Sequence, residues 1–207
     1  SNAYTTVKIG TQCWMKENLR KRPTIGNSWN PGGDEGNVAA NGLLYDWTAV
    51  MQVADANNTL VAVQDKHQGI CPNGWHVPSQ TEWETLSHYT FDNYRCTDCE
   101  EIDPIWQSDL AFCVAKALCS TAWNDGGSSC NANSNAIGKN VTGFSILSAG
   151  SCFSETPGSF GAHAYFWSAT QRDEIAVNSW SLGSLASSFD LYSDNKSVGL
   201  SVRCVRN

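Results

Sequence analysis

The chain has 207 residues, enough for one large domain or two small ones around a substantial core. At 41% hydrophobic and 16% charged, its composition is not that of a disordered segment. A net charge of −7 argues against nucleic-acid or anionic-membrane partners, which need clustered Lys and Arg, and no apolar run reaches the ~18 residues of a membrane span.

Ser1-Asn2-Ala3 reads as the scar of a cleaved expression tag and is set apart from the fold, which is expected to run as a single domain over residues 4–207. An export signal, with an upstream domain or a lipid anchor, is expected ahead of it. Tyr4 to Ile9 alternates like a strand and leads into Gly10-Thr11-Gln12-Cys13-Trp14-Met15. Gly26 to Gly42 is rich in Gly, Asn and Pro and predicts a loop. Leu43 to Val53 predicts a short strand running into a helix. Ser79 with Glu82 three residues later is a capping box, so a helix is predicted to start there with Trp83 and Leu86 on one face.

Leu110 to Leu118 predicts a second amphipathic helix, and Trp123 to Asn140 a long polar loop. Short strands with turn residues between them are predicted at Phe144 to Leu147, Tyr165 to Ala169, Val177 to Leu182, Ser188 to Leu191 and Gly199 to Val205. Two helices early and several brief strands late predict an α+β domain with a small, twisted, irregular antiparallel sheet and long loops.

Nine cysteines at irregular, long spacings fit disulfides formed in an oxidising compartment better than metal or redox chemistry. Four bridges would leave one thiol over, with Cys113, inside an apolar helical stretch, the expected free one. Cys96-Thr97-Asp98-Cys99 has the spacing of thiol oxidoreductases, but Glu100 and Glu101 beside it would raise a thiol pKa, so a stapled loop is the expectation.

Several phrases taken together resemble one bacterial family. They are Ile9-Gly10-Thr11-Gln12-Cys13-Trp14-Met15-Lys16-Glu17-Asn18-Leu19, Gly42-Leu43-Leu44-Tyr45-Asp46-Trp47, and Cys71-Pro72-Asn73-Gly74-Trp75-His76-Val77-Pro78-Ser79 followed by Glu82-Trp83. Later come Gly143-Phe144-Ser145, Phe166-Trp167-Ser168-Ala169-Thr170 and Gly199-Leu200-Ser201-Val202-Arg203-Cys204-Val205. In this order they resemble the Fibrobacter succinogenes major paralogous domain (FISUMP), found in secreted proteins of Bacteroidetes. The resemblance implies a C-type lectin-like fold whose ends meet, with a bridge from the first helix region to the final strand, here Cys71 to Cys204. A segment from Tyr94 to Asp109 departs from the family's usual length.

Sites of chemistry are few. Trp123-Asn124-Asp125 is similar to the calcium-binding triplet of sugar-binding C-type lectins, but it lies mid-chain, and Asn124, Asp125 and Asn131 supply too few oxygens for calcium. No metal site and no cofactor is expected. The four histidines are dispersed, and His76 is expected to be packed and hydrogen-bonded. No nucleophile elbow, zinc-protease or phosphate-loop motif occurs, and the paired cysteines of formylglycine-generating enzymes, a more distant resemblance, have no counterpart beside Cys204.

Gln171 to Lys196 is dense in Asn, Ser, Asp, Trp and Tyr, which supply rigid aromatic area with adaptable hydrogen bonds. If a binding face exists, its expected residues are Asn178, Trp180, Ser184, Ser188, Asp190, Tyr192 and Asp194. The expected function is non-enzymatic: a ligand-binding or adhesion domain, extracellular or on the outer cell surface, recognising a glycan or a protein. The alternative is a structural accessory domain of a surface lipoprotein or fimbrial assembly.

Overall fold

The computed structural model describes residues 2–94, 114–123, 140–183 and 189–207. In chain order, β1 (Thr6–Ile9) and β2 (Gln12–Met15) form a hairpin with Val7 opposite Trp14. Its turn places Gly10 in the left-handed region (φ 59°), and a Cβ there would come within 2.9 Å of the Tyr89 ring. β3 (Ser28–Trp29) pairs with β4 (Leu44–Tyr45). The stretch between them departs from the predicted loop: it holds two 3₁₀ turns, Pro31–Gly33 and Glu35–Asn37, and a single helical turn, α1 (Val38–Asn41). A proline at the first helical position and Asp34 accepting from Gly36 N stabilise such turns locally, without the apolar periodicity a longer helix carries.

α2 (Trp47–Met51) starts from Asp46, whose carboxylate accepts from Ala49 N at 2.8 Å. β5 (Trp75–His76) precedes α3 (Gln80–Asn93), where the Ser79–Glu82 capping box forms as the sequence predicts, with Trp83 and Leu86 buried. Residues 114–118 are helical, and the rest of the second predicted helix lies outside the described residues. β6 (Ser151–Phe153) and β7 (Thr156–Gly158) form a hairpin, then come β8 (His163–Gln171), β9 (Ala176–Gly183), β10 (Phe189–Asn195) and β11 (Val205–Arg206).

The result is a mixed α+β domain with few helices and small antiparallel sheets. One sheet has the order β1-β2-β11-β5, so the strands nearest the two ends of the described chain lie in one sheet, on either side of β2. The longest strands form a second sheet, β10-β9-β8. Gly199 to Val205 is not the continuous strand its sequence predicts. It contributes single bridges, Gly199 to Cys152, Leu200 to Tyr45 and Ser201 to Phe166, so each residue ties a different element before Val205 joins β2 and β5. Phe144 to Leu147 likewise supplies one bridge, Ile146 to Cys119, in place of a strand.

Cys71 and Cys204 are bridged across a sequence separation of 133. A loop of that size contributes about 5 kcal/mol by restricting the unfolded chain, on the chain-entropy account. Cys119 is also disulfide-bonded, whereas Cys13 on β2 and Cys152 on β6 are free thiols. Nine cysteines less these two leave seven, so three bridges are the ceiling and the expectation of four is corrected. These two stand on different sheets with no cysteine facing them in the strand register, where a disulfide needs close, aligned Cβ atoms. Cys96, Cys99, Cys113 and Cys130 lie outside the described residues.

The sheet of β8, β9 and β10 is packed between two apolar clusters. One gathers Tyr45, Trp47, Trp167, Val177 and Leu200; the other gathers Trp14, Trp83, Phe144, Phe166, Trp180 and Phe189. Buried indoles are stitched to backbone: Trp83 Nε1 donates to the Trp167 carbonyl, Trp47 Nε1 to that of Ser168, and Trp167 Nε1 to that of Tyr45. Arg203 is buried beside them. Its Nε donates to Asn18 Oδ1 at 2.9 Å, and its two terminal nitrogens donate to the carbonyls of Phe144 and Ser145. Its guanidinium lies 4.4 Å from the Phe144 ring centroid. Burial pushes its pKa down to about 9, against a smaller opposing pull from Glu17, and it remains a cation at neutral pH.

Candidate functional site

In an antiparallel ladder, directly paired residues share a face and successive residues alternate. Pairing Leu182 with Phe189, Trp180 with Leu191, and Phe166 with Trp180 puts all of these on the face that packs on α3. Pairing Tyr165 and Asp190 with Ser181, and Tyr192 with Ser179, puts these with Asp194 on the opposite face.

Register and exposure together place the predicted binding residues. Asn178 and Trp180 are buried, because β9 is the central strand and is covered on both sides. The Asn178 amide donates to Gln80 Oε1 of α3, and Trp180, only 5% exposed, sits 4.9 Å from the Phe189 ring. Both therefore serve packing and offer no outward surface. Asp190 and Asp194 are half-buried and Tyr192 is 53% exposed, and these three share one face of the edge strand β10. Ser184 and Ser188 lie outside the described residues, as do Asn124, Asp125 and Asn131.

β10 is open but firmly held. Phe189 anchors its start in the aromatic cluster, and Lys196, just past its end, is fully buried. Lys196 Nζ donates to the carbonyls of Thr59 and Glu174, each at 2.8 Å, and lies 4.6 Å from the Trp47 ring centroid. Burial lowers its pKa, opposed by nearby Asp173 and Glu174.

Beside β10 runs a groove of about 240 Å³. Ser193, Asp194 and Asn195 line one side, Ser151 and Phe153 of the β6–β7 hairpin line the other, and Tyr165 of β8 enters it. Buried Val198 and Leu200 close its base. Phe153 is 68% exposed at the lip. Hairpin geometry puts it there: Phe153 pairs with Thr156, so Ser154 and Glu155 make a two-residue turn with both φ positive (46° and 63°). That conformation suits strand twist but is strained in residues bearing a Cβ. Reciprocal backbone bonds between Cys152 and Gly199, at 2.8 and 2.7 Å, fix the hairpin to the body.

Within the groove Asp194 accepts a hydrogen bond from the buried Ser179 hydroxyl. Tyr165 stacks on His163 with 5.7 Å between ring centroids. Burial raises the Tyr165 pKa, Asp194 and Tyr192 raise it further, and a hydrogen bond with Ser159 opposes them, so it stays a neutral phenol. Among the described residues no three His, Cys, Asp or Glu side chains converge as a metal site would require. The ion pair found among them is His76 with Glu82, 2.7 Å apart at the start of α3. His76 is packed and doubly hydrogen-bonded, with Asn207 on its other ring nitrogen at 2.7 Å.

Two larger grooves have other chemistry. One, near 490 Å³, is lined by Tyr4 and the basic run Arg20, Lys21 and Arg22, but Arg20 lies over the Tyr4 ring and donates to Ala3 O, and Arg22 donates to Asn30 Oδ1. The other, near 500 Å³, lies between Leu60 and the Arg172–Ile175 turn.

Sequence reasoning missed Ser151, Phe153, His163 and Tyr165. Ser151 and Phe153 come from a segment remote from Gln171 to Lys196, and His163 and Tyr165 are joined to it only by strand pairing. The available signal was Phe153 itself, an aromatic set among the turn-forming residues Ser154, Glu155, Thr156, Pro157 and Gly158. No helix among the described residues is long and apolar enough to cross a membrane. No curated protein and no solved structure matches the chain. The model of the Fibrobacter succinogenes major domain matches residues 7–206, nearly the whole length that folds around these two clusters, and the chain belongs to that family.

Proposed function

We propose that this domain is a non-catalytic recognition module of C-type lectin-like architecture, displayed outside the bacterial cell, which holds a glycan or a protein against β10 and the β6–β7 hairpin. The observation that carries this reading is the groove's pairing of an exposed aromatic lip, Phe153, with Tyr165, Asp194 and Asn195 on strands anchored at both ends. Aromatic faces give contact area at small entropic cost, and fixed carboxylate, amide and hydroxyl groups give orientation. A rigid frame limits what ordering must be supplied on binding. Disulfides support the external location, since they persist where thiols are not kept reduced. The bridge from Cys71 to Cys204 and the sharing of one sheet by the first and last strands support the lectin-like architecture.

Glycan-array binding and pull-down of host or bacterial surface proteins, each with the native protein and with Phe153→Ala, test the reading. A ligand lost on that substitution supports it. Silence of both screens would leave the accessory-domain alternative, and labelling of intact cells with an antibody reports the location independently.

A further inference from the structure

The recognition reading leaves the ligand's chemistry open, and the charge of the groove narrows it. Asp194 is the one carboxylate among the lining side chains; the rest are phenol, phenyl, amide, hydroxyl and aliphatic groups. Its hydrogen bond comes from the neutral Ser179 hydroxyl, and no cationic side chain among the described residues pairs with it. A half-buried carboxylate without a cation is short of the partner that would best offset its desolvation. Glu155 at the turn of the flanking hairpin and the chain's net charge of −7 add to a negative field. Phe153 and Tyr165 line the groove, Tyr165 with one ring face stacked on His163, and an open aromatic face attracts a cation.

We propose that the groove binds an amino sugar, its ring against Phe153 and Tyr165 and its ammonium group paired with Asp194. This rests on the recognition reading and specifies its ligand. The groove's volume, about 240 Å³, lies below the roughly 300–1,000 Å³ of pockets for drug-sized molecules, which suits one ring and not a folded peptide segment. The hydroxyls of Ser151 and Ser193 offer donors and acceptors for ring hydroxyls, and Asn195 offers its amide N–H groups, its Oδ1 being taken by Ser197 N and Oγ; the alkyl stem of a lysine would leave these unpaired. No metal bridges ligand and protein in this arrangement.

The test is calorimetric titration of the full chain with the trisaccharide of glucosamine and with that of N-acetylglucosamine, which differ by the ammonium group. The glucosamine trisaccharide is expected to bind about tenfold tighter or better, the worth of one charge-assisted hydrogen bond. Added salt should weaken it alone. Asp194→Asn keeps an acceptor for Ser179 and is expected to erase the difference between the two sugars; the exposed Phe153→Ala should weaken both, and melting curves confirm that each variant is folded. Equal binding of the two sugars, or a difference that survives Asp194→Asn, would overturn the ammonium assignment while leaving the recognition reading intact. Binding of a lysine-rich peptide where neither sugar binds would overturn the sugar assignment. Should no sugar, arrayed glycan or surface protein bind at all, the recognition reading falls and takes this inference with it.

Discussion

β9 and β10 are neighbours with similar vocabularies, AVNSWSLG and FDLYSDN, and opposite fates. Nearly all of β9 is buried, while the middle of β10 faces solvent. Composition does not separate them, since both mix Asn or Asp, Ser and an aromatic. Position does: β9 is the central strand between two apolar clusters, and β10 is the edge. Among the polar residues of β9, Asn178 is satisfied inside by Gln80 and Ser179 by Asp194. A polar-aromatic segment therefore offers exposed surface only where the sheet ends.

Trp180→Ala should give the largest effect, about 3–5 kcal/mol of lost stability, because it empties an indole-sized space among Trp83, Leu182 and Phe189. Leu191, directly across the ladder and 42% exposed, is the matched control, and Leu191→Ala should cost under about 1 kcal/mol. Urea unfolding of the pair measures both. Comparable losses would mean that β10 is as much core as β9, and the contrast would fail.

Next in size comes Arg203→Met, at about 2–3 kcal/mol. It strands Asn18 Oδ1 and the carbonyls of Phe144 and Ser145 without their donor in a buried place. This probes the support under the inner face of the sheet, since Phe166 of β8 also lies against the guanidinium, 5.6 Å from its ring centroid. A melting temperature unchanged by this substitution would show that the apolar clusters alone set the frame.

What the sequence made legible follows the range of the interactions. The α3 start was readable because Ser79 and Glu82 are three residues apart and their hydrogen bonds are local. β8 and β9 were readable as strands from alternation, and the family phrases carried the Cys71–Cys204 bridge. The β6–β7 hairpin was not, because its turn, Ser154-Glu155, lacks the glycine that such a conformation normally selects. Gly199 to Val205 read as one strand because its apolar-polar pattern is right, yet Gly199, Leu200 and Ser201 each pair with a different element, which only tertiary contacts decide. The groove was half legible: Asp190, Tyr192 and Asp194 sit on its side of β10, but Phe153 and Tyr165 arrive from other strands.

A smaller effect is expected at the capping box, which joins α3 to the buried face through Gln80 and Asn178. Burial opposes the charged forms of both His76 and Glu82, but their mutual hydrogen bond, with Asn207 on the imidazole and Ser79 on the carboxylate, outweighs it: the His76 pKa is raised and the Glu82 pKa lowered. Glu82's contribution is complete above its ordinary value of 4.5 and disappears as pH falls through its lowered folded pKa. That of His76 is complete below 6.5 and disappears as pH rises through its raised folded pKa. Glu82→Gln keeps a side chain that can cap, so the stability difference between native protein and variant, about 1 kcal/mol, should be greatest between pH 4.5 and 6.5 and shrink on both sides. A difference that is flat with pH would assign the pair to shape and not to charge.

The smallest change in stability is expected for Tyr192→Ala, within about 0.5 kcal/mol, because the ring is exposed on an edge strand whose two ends are pinned elsewhere. Binding should separate from stability at this position. Tyr192 lies on the same sheet face as Tyr165 and Asp194 and close enough to bear on the Tyr165 phenol, so its removal strips an exposed aromatic from beside the groove and should lower ligand affinity without moving the melting temperature. Trp180→Ala must then do the reverse of this in proportion, losing affinity only to the degree that it loses fold. If Tyr192→Ala and Trp180→Ala instead reduce binding in step with stability, the edge strand presents nothing of its own, and recognition would have to be sought elsewhere, for instance at the larger groove between Leu60 and the Arg172–Ile175 turn.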